Sequence, residues 1–409
     1  MAQAYSENDV STTPRFRGWS VVWVAFAVAV FAWGVGFYGP SVFLQTLHAT
    51  RGWPISTISA AITAHFLLSA VIVAYLPEVH RRLGMANATI AGVVLTAIGV
   101  FAWASAVAPW QLFLAAVLSG VGWAVTSGAA INAMVAPWFD RDRPRALGLA
   151  FNGASIGGVI FAPLWVTSIA HLGFQIAALA VGIAMVAVLV PLASRFLRHS
   201  PNDLGCAPDG NATSGPAAKP APRLSRAALL RDKRFLTISL AFAFGLFAQI
   251  GIFTHFIARL APEFGAGGAA AAVSLATICA VFGRTLLGWF IGERDRRAAC
   301  AVNFLVQAAG AVLLAFGTGL TMLLLGCVLF GLGVGNLISL PPLIAQREFE
   351  CADIGTVVAL VTAINQAVFA MAPAVFGALR DASDSYSIPF ALAAGAQVVA
   401  AVIVMIGRR

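Results

Sequence analysis

The sequence predicts an all-α polytopic membrane protein, with twelve transmembrane helices in two six-helix bundles. Three observations lead there: 60% of the 409 residues are hydrophobic, only 10% are charged, and the apolar residues fall in long runs divided by charged or Pro/Gly-marked breaks. A soluble domain is about a quarter charged. A spanning helix needs roughly 20 mostly apolar residues, because the hydrocarbon layer is about 30 Å thick and each residue rises about 1.5 Å. Dividing the chain at its breaks gives spans at 18–44, 55–76, 86–106, 111–136, 146–168, 174–194, 235–258, 268–291, 298–317, 320–345, 354–378 and 387–406. All must be helical, since lipid offers no partner for an unpaired backbone group.

Charge sets the expected orientation. With both termini on the cytoplasmic side, 21 of the 25 basic residues fall in inner segments, whereas the outer loops hold Arg51, Arg259 and Arg380. Cytoplasmic loops collect Lys and Arg, so this arrangement is expected. The net charge of +9 therefore reflects orientation, which argues against nucleic acid as a partner and for the lipid bilayer. The segment up to Arg17 is polar and carries no signal-peptide pattern, so the first span is expected to stay attached. Arginine outnumbers lysine 23 to 2, which hints at a bacterial source and an inner-membrane location. The five cysteines lack metal-ligand spacing and read as packing residues; no cofactor or metal is implied.

Residues 195–234 are rich in Pro, Gly, Ala and basic side chains and read as a cytoplasmic linker between bundles at 1–194 and 235–409. Internal repetition supports the division. Phe139 and Pro163 are 24 residues apart, as are Phe349 and Pro373, and Phe161-Ala162-Pro163 and Met371-Ala372-Pro373 lie 210 residues apart. Two parallel six-helix repeats describe the major facilitator architecture, in which the solute site lies between the halves near the midplane. Glycine runs such as Gly153-Ala154-Ser155-Ile156-Gly157-Gly158 and Gly331-Leu332-Gly333-Val334-Gly335 allow close backbone approach. Trp19, Trp53, Trp110 and Trp138, near span ends, read as interface anchors.

One basic residue, Arg284, lies inside a span, eight residues before Gly292 and so about 12 Å from that surface. All sixteen acidic residues fall in termini, loops or the linker. A cation at that depth needs partners, and without a protein carboxylate it is left with carbonyls, polar side chains, water or a bound anion. A planar guanidinium matches a carboxylate bidentately, which makes Arg284 the candidate anion site. A structural Arg satisfied by carbonyls is the alternative.

Weaker polar signals accompany it. Tyr38, Asn132, Asn152, Ser155, Asn336, Asn365 and Gln366 could line a polar cavity as a set, although each alone more often bonds between helices. His65 near the midplane and His255 near the outer end of the seventh span are candidate proton carriers; each also fits a neutral hydrogen-bonding histidine.

Trp138-Phe139-Asp140-Arg141-Asp142-Arg143-Pro144-Arg145-Ala146-Leu147-Gly148 and Phe282-Gly283-Arg284 resemble the monocarboxylate transporter family and its bacterial oxalate/formate-antiporter-like relatives within the major facilitator superfamily. Thr254-His255-Phe256 and Gly377-Ala378-Leu379-Arg380-Asp381 add to the likeness, which covers nearly the whole chain. The resemblance implies that the eighth-span arginine binds the substrate carboxylate, and it adds weight to His255. The departures are informative too. Ala280 stands where animal members carry an aspartate, the first span has no lysine, and the eleventh offers Asn365 and Gln366 where the oxalate antiporters have a second basic residue. Pro77-Glu78-Val79-His80-Arg81-Arg82-Leu83-Gly84 likewise departs from the superfamily's loop motif, with a basic residue where an aspartate is usual.

The expectation is a secondary carrier of small organic monocarboxylates working by alternating access, with proton symport, and functional as a monomer. Anion exchange of the oxalate/formate type and export of other small molecules are the alternatives. A cation exporter would want an acidic residue in the cavity, and an enzyme would want a catalytic cluster; neither is in the sequence.

Overall fold

The computed structural model describes residues 16–210, 224–291 and 294–408, and the described residues form helices joined by short turns. Eleven continuous helical stretches are long and apolar enough to cross a membrane. One of them, Lys233–Gly288, has 56 residues. A straight helix of that length would run about 84 Å, nearly three hydrocarbon thicknesses. It reverses at Gly265, whose φ of 69° and ψ of 170° are non-helical, so that stretch makes two crossings and the twelve expected spans are present.

The spans are α1 (Gly18–Arg51), α2 (Ile55–Ala74), α3 (Met85–Ser105), α4 (Pro109–Trp138), α5 (Arg143–Leu172) and α6 (Phe174–Phe196). They continue with α7 (233–264), α8 (266–291), α9 (Arg296–Phe316), α10 (Gly319–Glu348), α11 (Cys351–Phe369 extended by Ala372–Ser383) and α12 (Ser387–Ile406). An even number of crossings returns residues 16 and 408 to one side, called here the terminal side. The inner end expected at Gly292 and the linker's centre at 211–223 lie outside the described residues.

Several spans are interrupted. A π-turn over Trp33–Phe37 widens α1, and a π-turn shifts the facing of every later side chain on its helix. α10 breaks at Gly335, and α11 breaks at Ala370 and Met371, just before Pro373. Pro163, the counterpart of Pro373 in the repeat, lies inside an unbroken α5.

α1 packs on α5, α2 on α4, and α3 on α4 and α6; α9 packs on α10 and α12. Close approach depends on glycine: a Cβ at Gly157 would collide with the Val30 carbonyl oxygen across the α1–α5 crossing. Hydrogen bonds between the first six spans and the last six concentrate on the side opposite the termini. Ser56 N–H donates to Asp381 at 2.8 Å, Ala374 N–H to Thr63 Oγ1 at 2.9 Å, Ile257 N–H to Ser41 Oγ at 3.4 Å and Ser274 Oγ to the Val159 carbonyl at 3.0 Å. The apolar core agrees. One cluster runs from Phe43 and Phe66 across the seam into Phe253, Phe330 and Phe376, whereas a second, around Phe242, Phe304 and Ile344, stays within the last six spans.

Charged groups anchor the terminal side. Arg297, 3% exposed, makes a bidentate contact with Glu348 at 2.6 and 2.7 Å and reaches the Val404 carbonyl, tying α9 to α10 and α12. Trp138, which by position reads as an interface anchor, is instead buried against Phe16, while Trp110 is 62% exposed.

The start of the linker docks on the loop before α5. Asp209 accepts backbone N–H bonds from Asp140, Arg141 and Asp142 at 3.1, 2.8 and 3.3 Å. Partial burial pushes its carboxyl up, but these bonds and the Arg141 charge outweigh it and hold the pKa below the ordinary value. A carboxyl with a depressed folded pKa contributes above its unfolded pKa and loses the contribution as pH falls through the folded one. Hydrogen exchange at the amides of residues 140–142 is therefore expected to quicken in Asp209→Asn at about pH 6. In the native protein, after correction for intrinsic rates, it should quicken only on acidification below about pH 4, the ordinary carboxylate range.

Candidate functional site: an arginine between the halves

Arg284 sits on α8, and its position is set by the residue before it. A Cβ at Gly283 would collide with the Leu332 carbonyl oxygen, so glycine lets α8 lie directly on α10. The break of α10 at Gly335 then presents a carbonyl that the helix ladder does not use. Arg284 Nε donates to that oxygen at 3.1 Å. Gly335 is itself tightly fitted, since a Cβ there would lie 3.1 Å from both Nε and Nη2.

From the other half, α5 contributes Asn152, whose Oδ1 accepts from Arg284 Nη1 at 3.2 Å. The guanidinium thus bridges α5, α8 and α10 through two neutral oxygens. A guanidinium has five N–H donors, and among the described residues these two bonds and no ion pair occupy Arg284. Its side chain is partly buried. Tyr38 on α1 lies within its electrostatic reach and packs edge-on to Phe253 of α7 at 5.5 Å. The Tyr38 ring lies over Gly158, where a Cβ would fall 2.6 Å from Cζ.

The other polar candidates scatter. Asn132 is exposed and Ser155 is buried on α5. Asn336 turns away from Arg284: its Nδ2 donates to Asn303 Oδ1 on α9 at 2.8 Å and to the Leu332 carbonyl. Asn365 is buried, with Oδ1 lacking a partner among the described residues, and Gln366 donates to Ser69 Oγ at 3.3 Å, across the seam to α2.

The two histidines occupy different places. His255 Nε2 lies 3.3 Å from the Pro373 carbonyl and 3.4 Å from Ser59 Oγ. A carbonyl can only accept, so Nε2 carries the proton, and Nδ1 is buried without a partner among the described residues. Arg380 and Asp381 are its charged neighbours and Tyr386 stands 5.7 Å from its ring. His65 lies within the first six spans, 2.9 Å from Ser119 Oγ of α4.

A cavity of about 530 Å³ lies elsewhere, near the Gly265 reversal, lined by Phe264, Leu275, Leu320, Leu324 and Glu263. It is largely apolar and lies on the side opposite the termini, so the chemistry of the site rests on Arg284 and its partners.

These features accord with the profile of the Major Facilitator Superfamily, which matches residues 22–373. The chain belongs to that superfamily. Monocarboxylate transporter 13 of Bos taurus is 26% identical over 396 residues, covering 92% of this chain and 86% of that protein. Monocarboxylate transporter 4 of Rattus norvegicus is 24% identical over 413 residues, covering 95% and 82%. An uncharacterised transporter of the superfamily from Bacillus subtilis (strain 168), YcxA, is 33% identical over 86 residues, 21% of each chain. Among solved structures, a mutant form of the nucleoside transporter NupG superposes with a TM-score of 0.73 at 15% identity, covering 95% of this chain and all of that one. At that identity the likeness speaks for the fold alone. This superfamily transporter is therefore a multi-pass membrane protein.

Sequence reasoning singles out Arg284 but treats Asn152 as one of several polar residues, and it does not foresee the Gly335 carbonyl. The run Gly331-Leu332-Gly333-Val334-Gly335 is the available signal, and on sequence alone it reads only as packing. Gly283→Ala is expected to force α8 off α10 and cost about 1–3 kcal/mol by overpacking. Thermal unfolding in detergent checks this, with Gly288→Ala, where a Cβ meets open space, as the control.

Proposed function

We propose that this transporter carries small organic monocarboxylates by alternating access, with Arg284 as the anion clamp. The observation that supports it is the occupancy of the guanidinium: two neutral oxygens hold it, leaving a net positive charge for a carboxylate to neutralise. Asn152 Oδ1 stands in for one oxygen of that carboxylate. Binding of an anion would displace it and so loosen a bond between the halves, linking loading to movement. One guanidinium between the halves suits one negative charge, in keeping with the absence of a second basic residue beside Asn365 and Gln366. The two aligned relatives named as monocarboxylate transporters support this substrate class.

Proton symport is proposed through His255. It joins α7 to α11 and reaches Ser59 across the seam, and a second proton would attach at Nδ1, facing the field of Arg380, Asp381 and Tyr386. Loading a carboxylate and a proton together moves no net charge. The distribution of basic residues supports cytoplasmic termini in an inner membrane, and a monomer contains all the residues invoked.

Uptake of labelled lactate and pyruvate into proteoliposomes tests the reading. Arg284→Lys and Arg284→Ala should each lose about 10- to 100-fold, the equivalent of one strong charge-assisted contact. Undiminished uptake would remove Arg284 from the mechanism. Asn152→Asp, which supplies a permanent carboxylate, should block uptake while Asn152→Ala retains it. His255→Gln should abolish stimulation by an inward proton gradient yet keep counterflow exchange; stimulation that survives would leave His255 without a coupling role.

A further inference from the structure

His65, Ser119, Trp103 and Thr96 form a buried polar group in the first six spans that the anion site does not use. His65 and Thr96 are each 2% exposed, and both line a cavity of about 10 Å³ beside the π-turn of α1. The rest of its wall is mainly apolar and includes Val35, Phe43, Ile62 and Val100. His65 and Thr96 each have one polar atom buried without a protein partner among the described residues: His65 Nε2 and Thr96 Oγ1.

The hydrogens can be assigned from the neighbours. Ser119 Oγ donates its one hydrogen to the Ala115 carbonyl at 2.9 Å, as two oxygens that close require a proton between them. Trp103 Nε1 can only donate, and it does so to Ser119 Oγ at 3.1 Å. With its own hydrogen used, Ser119 accepts from His65 as well, so the 2.9 Å contact is an Nδ1–H donor. The ring is thereby fixed as the Nδ1–H tautomer, and Nε2 presents a bare lone pair.

A buried lone pair without a donor costs about 1–3 kcal/mol. A cavity of roughly 10–15 Å³ on this measure holds one water, provided two or more polar groups bind it. We propose that His65 and Thr96 form a binding site for a single water molecule, which donates to His65 Nε2 and accepts from the Thr96 hydroxyl. Among the described residues no charged side chain lines the cavity, so the ligand is neutral, and the site stands independently of the anion reading. Glycine at 122 leaves room for the Thr96 hydroxyl, because a Cβ there would overlap Thr96 Oγ1.

The test is nitrogen NMR of the whole protein, labelled at histidine with ¹⁵N, in lipid nanodiscs at about pH 8, above the ordinary imidazole range. His65→Asn identifies the resonances. The expected result is a protonated Nδ1, a bare Nε2 and a through-space cross-peak between the His65 Hε1 proton and water. Thr96→Val, close in volume, should remove the water cross-peak while keeping Nδ1–H, and Ser119→Ala should shift the ring toward the Nε2–H tautomer. A native Nε2–H ring, or a native protein without the water cross-peak, would overturn the proposal. So would a cross-peak that survives in Thr96→Val.

Discussion

A guanidinium inside an apolar layer must find acceptors there, because an unpaired charge in hydrocarbon costs several kcal/mol. The geometry around Arg284 follows from that need. Gly283 brings α8 against α10, the break at Gly335 turns a helix carbonyl outward, and α5 supplies the Asn152 amide oxygen. None of these carries charge, so the guanidinium is satisfied in part and stays electrostatically open. A carboxylate in place of Asn152 would have made a tighter pair and a poorer receptor.

The same contact lies on the seam between the six-helix sets, which gives it mechanical meaning. On the side opposite the termini the seam is closed by backbone and hydroxyl bonds and by a continuous apolar cluster. These are weak, exchangeable contacts between neutral groups, except for the Asp381 carboxylate that receives Ser56 N–H. Alternating access requires one side of the seam to close as the other opens. The strong ion pair of the terminal side, Arg297–Glu348, lies instead within the last six spans, where it ties α9 to α10.

Much of the fold is legible in the sequence, because lipid removes most alternatives: a run of about 20 apolar residues has to be a helix. Span limits read from the breaks come within a few residues at α2, α3 and α6. The reversal at Gly265 falls inside the break read between 258 and 268, which Arg259, Pro262, Glu263 and a run of glycines mark. Side-chain direction is harder. Asn336 reads as part of the polar cavity, yet its amide bonds to Asn303 on α9. Trp138 looks like an interface residue by position but is covered by the segment around Phe16, a contact more than a hundred residues away in sequence. Arg284 is legible because a charge in a span stands out from its surroundings. Asn152 is not, since an amide in a helix gives no sign of which neighbour it faces.

The most direct test of the anion clamp is a structure of the transporter bound to a monocarboxylate marked by a heavy atom, such as a bromopropionate. The account predicts its carboxylate within hydrogen-bond distance of the Arg284 guanidinium, between α5 and α8, with Asn152 Oδ1 displaced from Nη1. Density for the ligand elsewhere, with the Arg284–Asn152 bond intact, would contradict it.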